Sequence, residues 1–153
     1  ATAKPILLVF NEYGKLYGKQ PEFLAGLKNC TFTVIGGESA VSAKLFDAIK
    51  AYGTTTRLAG ANRRATSVLV AETFFTAPDA AVVAYSKNFP DGLCGGPLAY
   101  ALGAPVLLTK TASPTEATIY ARANGIKAGY VLGGSGLVSD DAVKAILGTD
   151  AVR

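Results

Sequence analysis

Two stretches of this chain are written twice in the same order, and that repetition constrains the fold more than any single motif. Pro5-Ile6-Leu7-Leu8 returns as Pro105-Val106-Leu107-Leu108. Val34-Ile35-Gly36-Gly37, followed by Val41-Ser42, returns as Val131-Leu132-Gly133-Gly134, followed by Val138-Ser139. After each glycine pair comes an amphipathic segment, a Gly-Thr turn (Gly53-Thr54 and Gly148-Thr149) and an arginine (Arg57 and Arg153). The copies lie about 95 to 100 residues apart, a drift that small loop insertions produce. In 153 residues the expected organisation is therefore residues 1–53 as the C-terminal half of one unit and residues 54–153 as one nearly complete unit. Both ends then fall out of phase with the repeat, as in a piece of a longer array; a terminal Arg153 is also what tryptic cleavage leaves.

Within the unit, short β-rich runs alternate with longer amphipathic segments. Pro5–Phe10, Thr31–Ile35, Ala80–Tyr85, Pro105–Leu108 and Ala128–Leu132 read as strands. Most are nearly continuous in apolar residues, as strands buried on both faces are. Residues 41–52, 64–75, 91–102, 114–124 and 140–147 read as helices, the last capped by Ser139, with Asp140 and Asp141 favourable to its dipole. Such alternation implies crossovers, so the expected class is α/β, a parallel sheet with helices on both faces. Half the residues are hydrophobic and 17% are charged, enough apolar material for a packed core.

The absences narrow the chemistry. The chain contains no His, which removes Ser-His-Asp and Cys-His nucleophilic pairs and the common zinc hydrolases. Cys30 and Cys94 are the two cysteines, too few for a Cys-rich metal site and expected as separate buried thiols. No EF-hand loop is present, and Glu12 has no Asp-x-Asp partner to complete an acidic metal site, so no catalytic residue, metal or cofactor is assigned. There is no Met, and no signal peptide is visible. The uncharged run from Gly92 to Thr109 is 18 residues long but holds four glycines and two prolines, so membrane insertion is not expected. The net charge of +4 falls short of a dedicated nucleic-acid binder but suits an anionic partner.

Two regions could carry binding chemistry. From Ala48 to Ala71 there are 24 residues without an acid, containing Lys50, Arg57, Arg63 and Arg64. Guanidinium groups pair with carboxylate or phosphate, and a helix start adds unpaired N–H groups. Each arginine alone is as well explained by pairing with an acid on a neighbouring element; three together favour an anion-facing patch. The second region is the turn Asn88-Phe89-Pro90-Asp91-Gly92, at the carboxyl end of a strand, where ligands gather in parallel sheets. Asn88 and Asp91 could contact hydroxyl-rich sugar, or equally serve the turn and cap the helix. The Gly36-Gly37 and Gly133-Gly134 pairs match no phosphate-loop pattern and read as tight turns. Cys94 reads as a small buried residue in a Gly-rich helix.

Arg57-Leu58-Ala59-Gly60-Ala61-Asn62-Arg63, the Asn88–Leu93 turn, Gly103-Ala104-Pro105-Val106-Leu107-Leu108-Thr109 and the Leu132-Gly133-Gly134 to Ser139 run occur in that order. Together they resemble the cell-wall-binding repeat 2 family of bacterial surface proteins, over residues 56–148 as one repeat and 3–53 as the back half of another. The resemblance implies tandem arrays, often of three repeats in a triangular assembly, that hold a host protein noncovalently on anionic wall polymer. It associates the Pro-aliphatic-Leu-Leu run with the polymer groove, here Pro105, Val106, Leu107 and Leu108, and matches Arg57 and Arg63 to recurrent basic positions. Arg64 stands where the family commonly has an aromatic residue.

The expectation is thus a noncatalytic, extracellular anchor for an anionic cell-wall polysaccharide or teichoic-acid-like polymer. Its candidate site is Arg57, Arg63, Arg64, Asn88, Asp91 and Pro105–Leu108. Its other partners are neighbouring repeats or other copies, with neither nucleic acid nor a membrane involved. Two alternatives stand beside it: an α/β enzyme or small-ligand domain with its site at Asn88–Asp91, and a module whose repeats only pack against each other.

Overall fold

The computed structural model describes residues 4–148 and 150–152; Thr149 and Arg153, which take part in the repeat pattern, lie outside the described residues. The order of elements is a 3-10 turn at Asn11–Tyr13, α1 Gln20–Gly26, β1 Phe32–Ile35, α2 Ala43–Lys50, β2 Thr55–Leu58, α3 Arg63–Phe74, β3 Ala80–Tyr85, α4 Pro90–Ala101, β4 Val106–Thr109, α5 Thr115–Ala123, β5 Ala128–Leu132, α6 Asp140–Leu147 and β6 Asp150–Val152. They form two compact units, Pro5–Gly60 and a C-terminal unit from Ala61 onward that also takes in Lys4.

The C-terminal unit is a four-stranded sheet in the order β4-β3-β5-β6, with every neighbouring pair parallel. β3 is its centre, and Ala81, Val82, Val83 and Ala84 are all at 0% exposure. This is why the run is apolar at consecutive positions: alternate side chains enter two different cores. On one face Ala81 and Val83 join Leu107, Val131 and residues of α3, α5 and α6, among them Ala71, Tyr120, Ala121, Ile146 and Leu147. On the other face lies α4. A Cβ added at Gly95 would come within 2.9 Å of Leu132 and 3.2 Å of Val82, so a glycine-rich helix is what lets α4 sit so low on the sheet.

The N-terminal unit is smaller. β1 and β2 pair in parallel, with Val34 opposite Arg57. α2 covers them, and Val34, Val41, Leu45 and Ile49 form the core with Val9, Leu16, Phe32 and Phe46 against it. β1-α2-β2 here corresponds to β5-α6-β6 in the C-terminal unit. In both, the strand after the glycine turn pairs with the strand before the helix. The contacts therefore divide the chain after β2.

The elements follow local signals. Ser42, Asn62 and Ser139 cap α2, α3 and α6, their side-chain oxygens accepting from backbone N–H groups of the first turn. Three results differ from the sequence expectation. Pro5–Phe10 forms no strand, because nothing in its unit occupies the place of β3. Asp91 does not cap α4; the helix starts at Pro90, with Phe89 at the cap position and no side-chain cap. Neither cysteine is buried: Cys30 is half-buried and Cys94 exposed, both as free thiols.

Candidate functional site

In a parallel sheet with crossover helices, strand carboxyl ends and helix amino ends share one side of the layer. In the C-terminal unit that side gathers the turn after β3, the end of β4, the Gly133-Gly134 turn after β5 and the starts of α3 to α6. α3 and α6 have side-chain caps, whereas α4 and α5 begin without one. α4 opens on Pro90, which has no N–H to satisfy, and α5 carries the acid Glu116 in its first turn.

Arg63 is exposed and its Nη1 donates to the carbonyl of Ser86 at 2.8 Å. This ties the start of α3 to the turn after β3. Ser86, only 4% exposed, donates from its own backbone N to the Thr109 carbonyl at 2.8 Å, so the β3–β4 ladder is extended by one rung beneath the turn. One guanidinium nitrogen of Arg63 is thereby occupied, and the rest of its fork faces outward. Lys87, Asn88 and Lys110 around it are exposed.

Arg64 is engaged differently. Its Nε donates to Glu116 Oε1 at 3.2 Å and Oε2 at 3.3 Å, and Asn62 Nδ2 donates to the same Oε1 at 3.1 Å. Asn62 Oδ1 meanwhile accepts from Arg64 N and Ala65 N. One asparagine thus caps α3 and holds the acid of α5. Burial by itself raises the Glu116 carboxyl. Hydrogen bonds from Arg64, from its own backbone and from Asn62, with the Arg64 charge, outweigh that and hold it below its ordinary 4.5.

Arg57 lies in the N-terminal unit. Its Nη1 donates to the Gly36 carbonyl at 2.6 Å and its guanidinium stacks 4.6 Å from the Phe46 ring centre. It closes the glycine turn after β1 onto β2. The sequence grouped the three arginines by proximity along the chain, and the fold gives each its own partner.

Asp91 is half-buried, its Oδ2 3.0 Å from where a Cβ on Gly133 would stand. Gly133 has φ +107, a backbone that needs glycine. Asp91 thus lies over the turn after β5, and Asn88 is exposed beside the end of β3. Pro105, just ahead of β4, and Leu107 within it are buried, and Val106 and Leu108 are half-buried. The Leu108 N–H, on the edge away from β3, donates to Ser67 Oγ of α3 at 3.0 Å. β4 is therefore flanked by α3 at its outer edge, with Leu107 in the core on one face and Leu108 beside Gly92 of α4 on the other.

Two hollows mark the surface elsewhere. One, about 270 Å³, is lined by Arg122, Lys127 and Lys144 among others, with no acid. Sequence reasoning missed this cluster, because its members come from two separate stretches, 122–127 and 144–148. It lies at the C-terminal ends of α5 and α6, where cations offset the negative helix ends. The other, about 330 Å³, lies between α3 and α5 beside Glu72, Glu116 and Ile119. Among the described residues no group of three His, Cys, Asp or Glu could hold a metal ion, and no helix is long and apolar enough to cross a membrane.

Comparison with known proteins adds to this geometry. Residues 57–143 match the model of the family described as cell wall binding domain 2. The amidase enhancer of Bacillus subtilis (strain 168) is 35% identical over 77 residues, half of this chain and 11% of that protein. Cwp6 from Clostridium difficile superposes with a TM-score of 0.75 at 23% identity, over 90% of this chain and 22% of that one. Cwp8 from the same organism superposes at 0.68 with 24% identity, over 80% of this chain and 21% of that one. The chain thus spans about a fifth or less of each of these proteins.

Proposed function

The chain belongs to the cell wall binding domain 2 family, and from that premise we propose that it is a noncatalytic anchor that attaches to anionic polymer of a bacterial cell wall. The observation that carries this reading is the strand-end face of the C-terminal unit. There the start of α4, which has no side-chain cap, lies on the same side as an exposed Arg63 and two exposed lysines, Lys87 and Lys110. N–H groups and cations aimed at one surface favour phosphate or carboxylate.

In this reading Arg63 meets the polymer with the free part of its fork. Asn88 hydrogen-bonds sugar hydroxyls, and Asp91 sets the turn over Gly133. Pro105, Val106, Leu107 and Leu108 supply the floor rather than the contact surface. Arg64 is held at the start of α3 by its ion pair with Glu116, and Arg57 is a basic position of the N-terminal unit. The place of action is then the wall or cell surface, with neighbouring repeats as further partners and three-repeat packing as one arrangement. Residues 1–53 and 54–153 count as the two repeat portions.

The enzyme alternative needs a deep site with perturbed titratable groups at Asn88–Asp91. The two hollows described above are lined by other residues than that turn. The test is sedimentation of the chain with purified cell walls, before and after extraction of their anionic polymers. Binding should be lost on extraction and weakened roughly tenfold by Arg63→Gln, since a hydrogen bond to a charged group contributes about 1.5–3 kcal/mol before screening. Equal binding to extracted walls, or release of wall fragments by the chain, would overturn the proposal.

A further inference from the structure

α5 and α6 end on the side of the C-terminal unit opposite the strand-end face, and the hollow of about 270 Å³ lies between their ends. Arg122 stands in the last turn of α5, Lys144 in the last turn of α6, and Lys127 just ahead of β5. All three are exposed, all three line the hollow, and no acid lines it with them. β5 is five residues long, so roughly 17 Å of strand separates this cluster from the Gly133 turn. That is about twice the screening length at physiological salt, which makes the two basic regions electrostatically independent.

Cations at helix ends often serve to cap the last carbonyls. Here the backbone performs that task. The Ile126 N–H donates to the Ala121 carbonyl at 2.9 Å and the Gly125 N–H to the Arg122 carbonyl at 3.2 Å, with Gly125 at φ +68, so α5 closes in a Schellman turn. Asn124 adds its own N–H and its Nδ2 to the Tyr120 carbonyl, at 3.1 and 2.9 Å. In α6 the Gly148 N–H donates to the Lys144 carbonyl at 3.0 Å. The ion pairs among the described residues, Lys50 with Asp47 and Arg64 with Glu116, include none of the three cations. Each helix end carries about −0.5 of a charge, so three full positive charges leave about +2 at the hollow uncompensated.

The floor is apolar: Ile126 and Ile146 line the hollow at 4% and 2% exposure. A Cβ added at Gly125 or Gly148 would meet no atom within 4 Å, so both glycines leave the space open. Small-ligand pockets begin near roughly 300 Å³, and a hollow of this size has room for more than a bare anion.

We propose that this hollow is a second binding site, for a phosphate group carried on a polyol or sugar. Arg122 offers the phosphate a two-pronged donor, Lys127 and Lys144 act as point charges, and the carbon body rests on the two isoleucines. A phosphomonoester carries about −1.5 to −2 at pH 7, which matches the uncompensated charge where a single carboxylate does not. A free sugar phosphate supplies that charge, and so do two neighbouring phosphodiesters of a polymer. The assignment stands apart from the wall-anchor reading, since none of its residues belongs to the strand-end face.

The experiment titrates the whole isotope-labelled chain at low ionic strength and follows its backbone amides by NMR, with glycerol phosphate, an oligomer of glycerol phosphate and glucuronate as the probes. Glycerol phosphate should shift the amides of Gly125, Lys127, Ala145 and Gly148 along saturable curves, and glucuronate should bind at least about tenfold more weakly. Lys127→Gln combined with Lys144→Gln should weaken glycerol phosphate binding by about tenfold or more. Lys15→Gln combined with Lys28→Gln removes the same charge from exposed positions of the N-terminal unit and should leave that binding as it was. Arg122→Lys keeps the charge and gives up the fork, so it should weaken binding by about threefold; unchanged β3 amides show that each variant is folded. Tighter binding of the oligomer makes a polymer the source, and tighter binding of the monomer a free sugar phosphate. Absence of saturable shifts around the hollow, equal affinity for glucuronate, or undiminished binding by the folded Lys127/Lys144 variant would each overturn the proposal.

Discussion

At the scale of single residues, the basic segment is divided among three tasks. Arg57 holds a glycine turn, Arg64 holds two helix starts together, and Arg63 holds a turn with one nitrogen while staying exposed. Arg57→Gln should therefore cost stability, because the Gly36 carbonyl loses a charge-assisted donor and Phe46 loses its stacked cation. An expected loss is about 1–3 kcal/mol, read as a lower midpoint in urea denaturation; an unchanged midpoint would show the contact to be inert. Glu116 gives a pH signature. Its carboxyl is held below 4.5 in the folded state, so its contribution is fully present above the unfolded value and fades as pH falls through the folded one. Glu116→Gln should then destabilise the chain by about 1–2 kcal/mol at pH 7, and the gap between the two proteins should narrow as the pH is lowered below 4.5. A gap that stays constant with pH would mean the carboxylate charge plays no part.

At the scale of elements, glycines decide how closely layers approach. A Cβ on Gly129 would run into the carbonyl oxygen of Ala81, its partner across the β3–β5 ladder. Backbone cannot swing away as a side chain can, so Gly129→Ala should cost at least ~3 kcal/mol and loosen the central pair. The added Cβ at Gly95 meets mostly side-chain tips, so Gly95→Ala should be milder, and comparing the two midpoints tests the difference. The same scale shows what could be read in advance. Ala80–Tyr85 and Ala128–Leu132 were legible as strands to the residue, because a strand in the middle of a sheet must be apolar throughout. β2, Thr-Thr-Arg-Leu, was not, since three of its four residues are polar or basic and its strand character comes from pairing with β1. α1 was hidden by its length of seven residues and its Pro21. Pro5–Phe10 had the right composition for a strand and lacked the neighbour. Of the site, the strand-end turn was legible from the Asn88–Asp91 pattern. The partners of Arg57, Arg63 and Arg64 were not, because the acid Glu116 and the carbonyls of Gly36 and Ser86 are brought in from 21 to 52 residues away.

At the scale of the whole molecule, attachment must come from number rather than from any one contact. Exposed cations pair weakly with a solvated polyanion and are screened beyond about 8 Å at physiological salt. One strand-end face is therefore expected to bind a wall polymer loosely, with binding that falls steeply as salt is added. The family model matches residues 57–143, so the chain is a suitable unit for measuring multiplication. Two copies of the chain joined by a flexible linker long enough to let both faces reach one polymer should bind walls about 10²- to 10⁴-fold more tightly than one copy, through effective concentration alone. The gain should survive moderate salt better than the single face does, because releasing the tandem requires both faces to let go together. Placing Arg63→Gln in one of the two copies should remove most of that gain and leave the fold of both intact. A tandem that binds only about twice as well as the single chain would show instead that attachment depends on something other than a repeated polymer-binding face, and would return the weight of the argument to packing between repeats.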